Sequence, residues 1–240
     1  MGPGGITQAE IKRIRSLREK KFRDETGLFV VEGEKLVQEA LASGFEVRGV
    51  WRREEIGEAA MARISQLSSP SPVLAVVARP AAPETFAPGR ELYLALDGVR
   101  DPGNLGTILR IADWFGIGTV FLSEDCVEPW NPKSVQASMG SVFRVRTVTA
   151  ELPELARRFR AEGLHVYGTF LDGRDLYREP LGAEGLVVMG NEASGIRPAV
   201  AAEVDARLFI PPFGRASGAG AESLNVAAAT AVTLSEFRRR

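Results

Sequence analysis

Five short apolar runs, at residues 92–96, 119–122, 165–171, 186–189 and 207–210, are separated from one another by stretches of helical composition. A strand that is apolar at nearly every position must be covered on both faces, so this alternation argues for a parallel sheet between two layers of helix. Ligands of such sheets bind beyond the carboxyl ends of the strands. Three polar segments stand there, at 104–110, 190–195 and 210–225, following the first, fourth and fifth runs.

The N-terminal third has a different rhythm. Residues 7–22 have helical composition with Ile11, Ile14 and Leu17 at helical spacing, and then come a strand at 28–31, a helix at 33–42, a strand at 47–51, a helix at 54–67 and a strand at 73–78. This is a small α/β module. Pro80, Pro83, Pro88 and Gly89 interrupt any periodicity between 79 and 91. The organisation expected is therefore a module at 1–80, a linker at 81–91 and the parallel-sheet unit at 92–240.

Several function classes are excluded by residue counts. The chain of 240 residues has one cysteine, Cys126, and one histidine, His165, so it holds no internal disulfide and no cysteine-rich metal site. A zinc centre or a Ser-His-Asp triad would have to be built around His165. No apolar run approaches the ~18 residues of a membrane span, the start lacks the pattern of a signal peptide, and Ile6 stands where a myristoylation motif needs Ser or Thr. A cytoplasmic protein without metal is expected. The net charge is −1, but Lys12, Arg13, Arg15, Arg18, Lys20, Lys21 and Arg23 precede Asp24 against only Glu10 and Glu19. Such a cluster is either a solvated helix face or a surface for phosphates.

In the first polar segment Asp97, Asp101 and Asn104 share a turn with Gly98, Pro102, Gly103 and Gly106, and an apolar helix carrying Arg110 follows. Small residues there admit a close approach to the backbone. Read alone, Asn104 is as well explained as the cap of that helix and Arg110 as a surface cation. No Gly-x-Gly-x-x-Gly is present, which speaks against a dinucleotide loop. In the second segment, Gly190-Asn191-Glu192-Ala193-Ser194-Gly195, backbone groups and Glu192 could hold a polar ligand, or Glu192 could cap a helix. In the third, Pro211 and Pro212 end the last strand, and Ser223 is expected to cap a helix rich in small residues, Ala227 to Ala229, Thr230 and Ala231, whose face suits close packing or a subunit interface.

Together, in this order, the three segments resemble the motifs of the SpoU or TrmH class of SPOUT RNA methyltransferases, over about residues 92–237. Asn131-Pro132-Lys133 and Ala137-Ser138-Met139-Gly140 are similar to the family's stretch between its first two motifs, and Phe29-Val30-Val31-Glu32-Gly33 resembles the substrate-binding domain many members carry. The resemblance implies a parallel sheet with a deep trefoil knot, a homodimer, and transfer of a methyl group from S-adenosylmethionine to a ribose 2'-hydroxyl. It implies catalytic roles for Asn104, Arg110, Glu192, Ser223 and Asn225. Thr169, Gly190, Asn191, Ile210, Pro211 and Leu224 match positions at the cofactor. Ribosomal RNA is expected as substrate ahead of tRNA, because a separate N-terminal module is more typical of the rRNA members. The competing reading is a non-catalytic RNA-binding or ribosome-assembly protein of the same fold. Residues 217–221 look inserted relative to the family loop, beside Ser223.

Overall fold

The buried strands do assemble as one parallel sheet. A computed structural model describes residues 5–81, 86–213 and 221–239; of the apparent insertion, 217–220 lie outside the described residues. In the C-terminal part, the elements are β4 (Leu92–Leu96), α6 (Pro102–Trp114), β5 (Thr119–Leu122), α7 (Pro132–Ser138), β6 (Arg146–Thr149), α8 (Leu152–Ala161), β7 (Val166–Asp175), β8 (Gly185–Met189), α9 (Pro198–Ala201), β9 (Ala206–Phe209) and α10 (Val226–Arg239). The six strands run parallel in the order β6-β5-β4-β8-β7-β9. Along β4, Leu92, Leu94 and Leu96 enter one core with α6 and α10, while Tyr93 and Ala95 enter the other with Phe121 and the α8 residues Leu155 and Phe159. A central strand apolar on both faces is thereby accounted for.

Two strand expectations change. β6 was absent from the apolar runs because it is an edge strand, paired only with β5, and Arg146, Thr147 and Thr149 leave Val148 as its one aliphatic residue. β7 runs beyond 171 to Asp175 because four residues bulge out: Thr169 and Arg174 both stand opposite Leu208. At the bulge a Cβ on Gly173 would lie 2.6 Å from the Leu208 carbonyl carbon, so only glycine lets the backbones pass.

The N-terminal part comprises α1 (Gln8–Ser16), α2 (Lys20–Thr26), β1 (Leu28–Glu32), α3 (Glu34–Ala42), β2 (Val47–Arg52), α4 (Arg53–Ile56), α5 (Glu58–Ile64) and β3 (Val73–Ala78), with an antiparallel sheet ordered β1-β3-β2. The helix expected at 7–22 is two helices, broken after Leu17. The one expected at 54–67 is likewise two, broken at Gly57, whose φ is +82°.

One basic residue of the N-terminal cluster does not face solvent. Arg23 is 2% exposed; its Nη1 donates to the Leu17 and Arg18 carbonyls at 2.7 Å each, and its Nε donates to Glu128 Oε1 at 2.7 Å. Glu128 also receives Arg79 at 3.1 Å, which ties the N-terminal sheet to the loop before α7. Phe29 packs on Trp130 nearby, with ring centroids 4.8 Å apart. Lys20 and Lys21 are paired with Asp24 and Glu25, which leaves Lys12, Arg13, Arg15 and Arg18 without ion pairs among the described residues, Arg18 donating instead to the Ser65 carbonyl. Removing one partner of a buried pair strands the other, so Glu128→Ala is expected to destabilise the protein by about 3–5 kcal/mol, read as a lowered midpoint of urea unfolding; an exposed control, Glu25→Ala, should shift it little.

Candidate active site

Helix α6 starts where Pro102 fixes the first turn and the Asp101 carboxylate caps it, accepting from Asn104 N–H at 2.7 Å. The alternative in which Asn104 is only the cap is therefore set aside: Asp101 does that work, and the Asn104 side chain is released toward the neighbouring loops. Its Nδ2 donates to Glu192 Oε1 at 2.9 Å, and its Oδ1 accepts from Asn225 Nδ2 at 2.9 Å. Three residues separated by 88 and 121 positions thus meet in a single chain of hydrogen bonds.

The direction of this chain is fixed from one end. Asn225 Oδ1 accepts the Ala227 N–H at 2.9 Å and the Ala228 N–H at 3.4 Å. Backbone N–H groups only donate, so the Asn225 amide nitrogen must face Asn104; Asn104 must then present oxygen to it and nitrogen to the Glu192 carboxylate. Asn225, rather than Ser223, is accordingly the cap of α10. Ser223 lies exposed two residues earlier and joins no hydrogen bond among the described residues, so it is not brought into the cluster.

Glu192 sits on a closed loop. Asn191 and Gly195 exchange backbone hydrogen bonds of 3.0 Å in both directions, and Asn191 Oδ1 accepts from the Ala193 and Ser194 N–H groups at 2.9 and 3.1 Å. A Cβ on Gly190 would lie 2.3 Å from the Gly195 carbonyl carbon, so the loop can close only over glycine. Both ends are fastened to the end of β4. Asn191 Nδ2 donates to the Gly98 carbonyl at 2.6 Å, and Asp97, fully buried, accepts from Arg197 N–H at 2.7 Å and from Arg197 Nε at 2.7 Å.

Neither Asp97 nor Arg197 stood among the expected site residues. A charged residue closing the apolar run of β4 was the available signal for Asp97, but nothing local marks a partner 100 residues away. The Asp97 contact holds the Arg197 guanidinium above its ordinary pKa, opposed by partial burial. Beside it the Ser123 hydroxyl donates to Asp125 at 2.7 Å and keeps that carboxyl below the usual range, while burial pushes the neighbouring Cys126 thiol up.

The remaining expected residues fall into two groups. Thr169 stands in β7 just before the bulge, and Gly190, Ile210 and Pro211 lie just past the carboxyl ends of β8 and β9; the three strands are neighbours in the sheet, and Thr169 Oγ1 donates to Met189 Sδ at 3.7 Å. Leu224, 51% exposed, precedes Asn225. Arg110 is exposed on α6 and makes no hydrogen bond or ion pair among the described residues. Gly106, expected to admit a ligand or another chain, instead lets α7 approach: a Cβ there would meet the Ser134 carbonyl oxygen at 2.4 Å.

Two family models match the chain, the SpoU rRNA Methylase family over residues 91–235 and the MRM3-like substrate binding domain over residues 8–79. The chain belongs to the SpoU rRNA methylase family. Among SpoU relatives, the 23S rRNA (guanosine(2553)-2'-O)-methyltransferase RlmP of Bacillus subtilis is 33% identical over 95% of this chain and 96% of its own. An AdoMet-bound rRNA methyltransferase from Sinorhizobium meliloti superposes with a TM-score of 0.87 at 35% identity, covering 99% of this chain and 98% of that one. The 23S rRNA (guanosine-2'-O-)-methyltransferase RlmB of Neisseria meningitidis is 34% identical over 62% of this chain and 58% of its own.

SpoU enzymes use S-adenosylmethionine, and the strand ends suit it. Thr169, Gly190, Ile210, Pro211 and Leu224 carry no charge, and Ile210 and Leu224 are apolar. Among the described residues no group of three or more His, Cys, Asp or Glu side chains could hold a metal ion, and no helix is long and apolar enough to cross a membrane.

The one-directional amide chain makes a sharp prediction for this SpoU site. Asn225→Asp keeps the acceptor that caps α10 but presents oxygen to oxygen at Asn104, whereas Asn225→Ala also loses the cap, worth about 1 kcal/mol. The aspartate variant should melt above the alanine variant yet be at least as defective in methyl transfer. Thermal unfolding and initial rates on the same preparations check both.

Proposed function

We propose that this protein transfers a methyl group from S-adenosylmethionine to a ribose 2'-hydroxyl of ribosomal RNA. The observation that carries the reading is the Asn225–Asn104–Glu192 chain, which unites the three segments at the carboxyl ends of a parallel sheet. Full-length similarity to RlmP supports rRNA as the substrate class, because the match includes the N-terminal module. We take that module, 1–80, to present the RNA, the linker to be 81–91 and residues 92–240 to be the catalytic unit. A cytoplasmic setting is part of the same proposal, supported by the full-length similarity to the bacterial RlmP.

S-adenosylmethionine supplies an electrophilic methyl group with a neutral thioether as leaving group. What remains for the chain is alignment, which contributes several kcal/mol. Thr169, Gly190, Asn191, Ile210, Pro211 and Leu224 would hold the donor. Asn104, Glu192 and Asn225 fix the mouth of the site, and Ser223 stands at its edge. Arg110 lies six residues beyond Asn104, about 9 Å along the helix. A guanidinium does not give up its proton in proteins and is therefore a poor base, so Arg110 orients the ribose hydroxyl or an adjacent phosphate, and the hydroxyl proton leaves to water. In this reading Lys, a cation without the planar fork, keeps part of the function.

Two further properties belong to the proposal. A homodimer is supported by Trp114, 83% exposed on the same helix as Arg110, and by the small exposed and half-buried residues of α10, Ala228, Ala229 and Ala231. A trefoil knot is consistent with a chain that leaves β9, the far edge strand, and returns to place Asn225 against the start of α6 in the middle of the sheet.

The deciding experiment offers labelled S-adenosylmethionine with separated pools of unmodified rRNA and tRNA. Label is expected at one ribose of rRNA, reduced to background by Arg110→Ala and to a measurable remnant by Arg110→Lys. Label in tRNA alone would reassign the substrate; equal loss in both Arg110 variants would require a stricter role for the guanidinium. No binding of S-adenosylmethionine would sink the enzyme reading in favour of a non-catalytic RNA-binding protein.

A further inference from the structure

A cleft of about 390 Å³ opens between the segment after α5 and helix α7, lined by Gln66, Leu67, Pro132, Lys133, Gln136 and Ala137. That volume falls in the ~300–1,000 Å³ range of small-ligand sites. One wall belongs to the N-terminal part and the other to the C-terminal part, and both are fastened to the same residue. Glu32, 3% exposed at the end of β1, accepts through its carboxylate from the Ser65 hydroxyl at 2.7 Å and from the Gln66 N–H. Its backbone carbonyl accepts from Gln136 Nε2 at 2.9 Å. Arg18 Nη2 donates to the Ser65 carbonyl at 2.9 Å and secures the same wall.

Within this rigid frame Gln66 is out of balance. Both atoms of its amide, Nε2 and Oε1, are buried without a hydrogen-bond partner. A buried amide unmet at both ends costs free energy, and such groups are rare in folded proteins. Lys133, exposed at the rim, makes no ion pair among the described residues, while Leu67, Pro132 and Ala137 add apolar surface. A donor beside an acceptor, apolar walls and a cation at the mouth complement the edge of one nucleobase, its faces and its phosphate. The wall is also mechanically close to the proposed catalytic centre. Ala137 is what a Cβ on Gly106 would strike at 2.6 Å, and Arg110 lies one helical turn beyond Gly106.

We infer that this cleft is a nucleobase subsite, which takes an unpaired base of the RNA other than the methylated nucleotide. The Gln66 amide turns out of the wall to pair with the base edge, and Lys133 contacts its phosphate. The inference rests on the proposed RNA methyltransfer, and it gives both halves of the chain a grip on the same strand.

The test uses the full-length protein and an rRNA fragment that it methylates, with an abasic nucleotide placed in turn at each unpaired position near the modified ribose. Gln66→Met removes the unmet amide while keeping its length. It should leave the thermal midpoint unchanged or raised and S-adenosylmethionine binding unaltered, yet raise KM for RNA about ten-fold. At one position the abasic substitution should lower kcat/KM of the wild type without further effect on Gln66→Met. Lys133→Ala should raise KM for RNA and reduce the magnitude of its salt slope by about one. If the wild type methylates the fragment but both proteins respond alike at every abasic position, or if Gln66→Met lowers the thermal midpoint with KM unchanged, the subsite is refuted and the methyltransferase reading stands. If the wild type methylates no RNA at all, the methyltransferase reading fails and takes the subsite with it.

Discussion

The site depends on a hydrogen-bond chain whose polarity is imposed by the start of a helix. The first N–H groups of α10 have no partners within the helix, and Asn225 Oδ1 takes two of them. From that point no amide in the chain is free to turn over: Asn225 gives a proton to Asn104, and Asn104 gives one to Glu192. A local capping requirement near the C-terminal end of the protein therefore orients a carboxylate beyond β8. A helix start, an N3 asparagine and a loop glutamate come from three crossover connections, so the chain also reports that those connections are correctly assembled.

The carboxylate end is held just as firmly. Burying Asp97 completely would be costly without compensation, and Arg197 answers it with a backbone N–H and a guanidinium. The arginine is itself half exposed and reaches toward Asp125 at 3.5 Å, so its charge is shared between a buried and a solvated carboxylate. With Asn191 bonded to Gly98 at the opposite end, the loop carrying Glu192 is pinned on both sides of its tip. Its geometry follows from contacts that lie outside the Asn225–Asn104–Glu192 chain.

Much of this was legible in the residues because the strands are apolar on both faces and the polar segments follow them directly. The order of the segments identified the family, and Asn104, Glu192 and Asn225 do meet. What escaped the reading has physical causes. β6 is an edge strand and carries no apolar run. Capping is decided by backbone angles that composition does not express, so Asp101 and not Asn104 caps α6, and Asn225 and not Ser223 caps α10. Arg23 lies in a run of basic residues whose neighbours are exposed, and only the fold brings Glu128, 105 positions away, to neutralise it. Pairings at such separations leave no periodic trace.

That buried pair changes how the N-terminal part should be understood. Arg23 and Arg79 converge on Glu128, Gln136 reaches the Glu32 carbonyl, and Arg144 Nε meets Asp113 at 2.8 Å while its Nη1 pairs with Glu39. Around the Phe29–Trp130 contact these bonds link the small sheet to the segment 128–144 that packs on α6. A module attached only through a flexible linker would add affinity for RNA with no control over its register. A module bonded to the helices beside Arg110 does more, because any base or phosphate it holds is placed at a set distance from the ribose to be methylated.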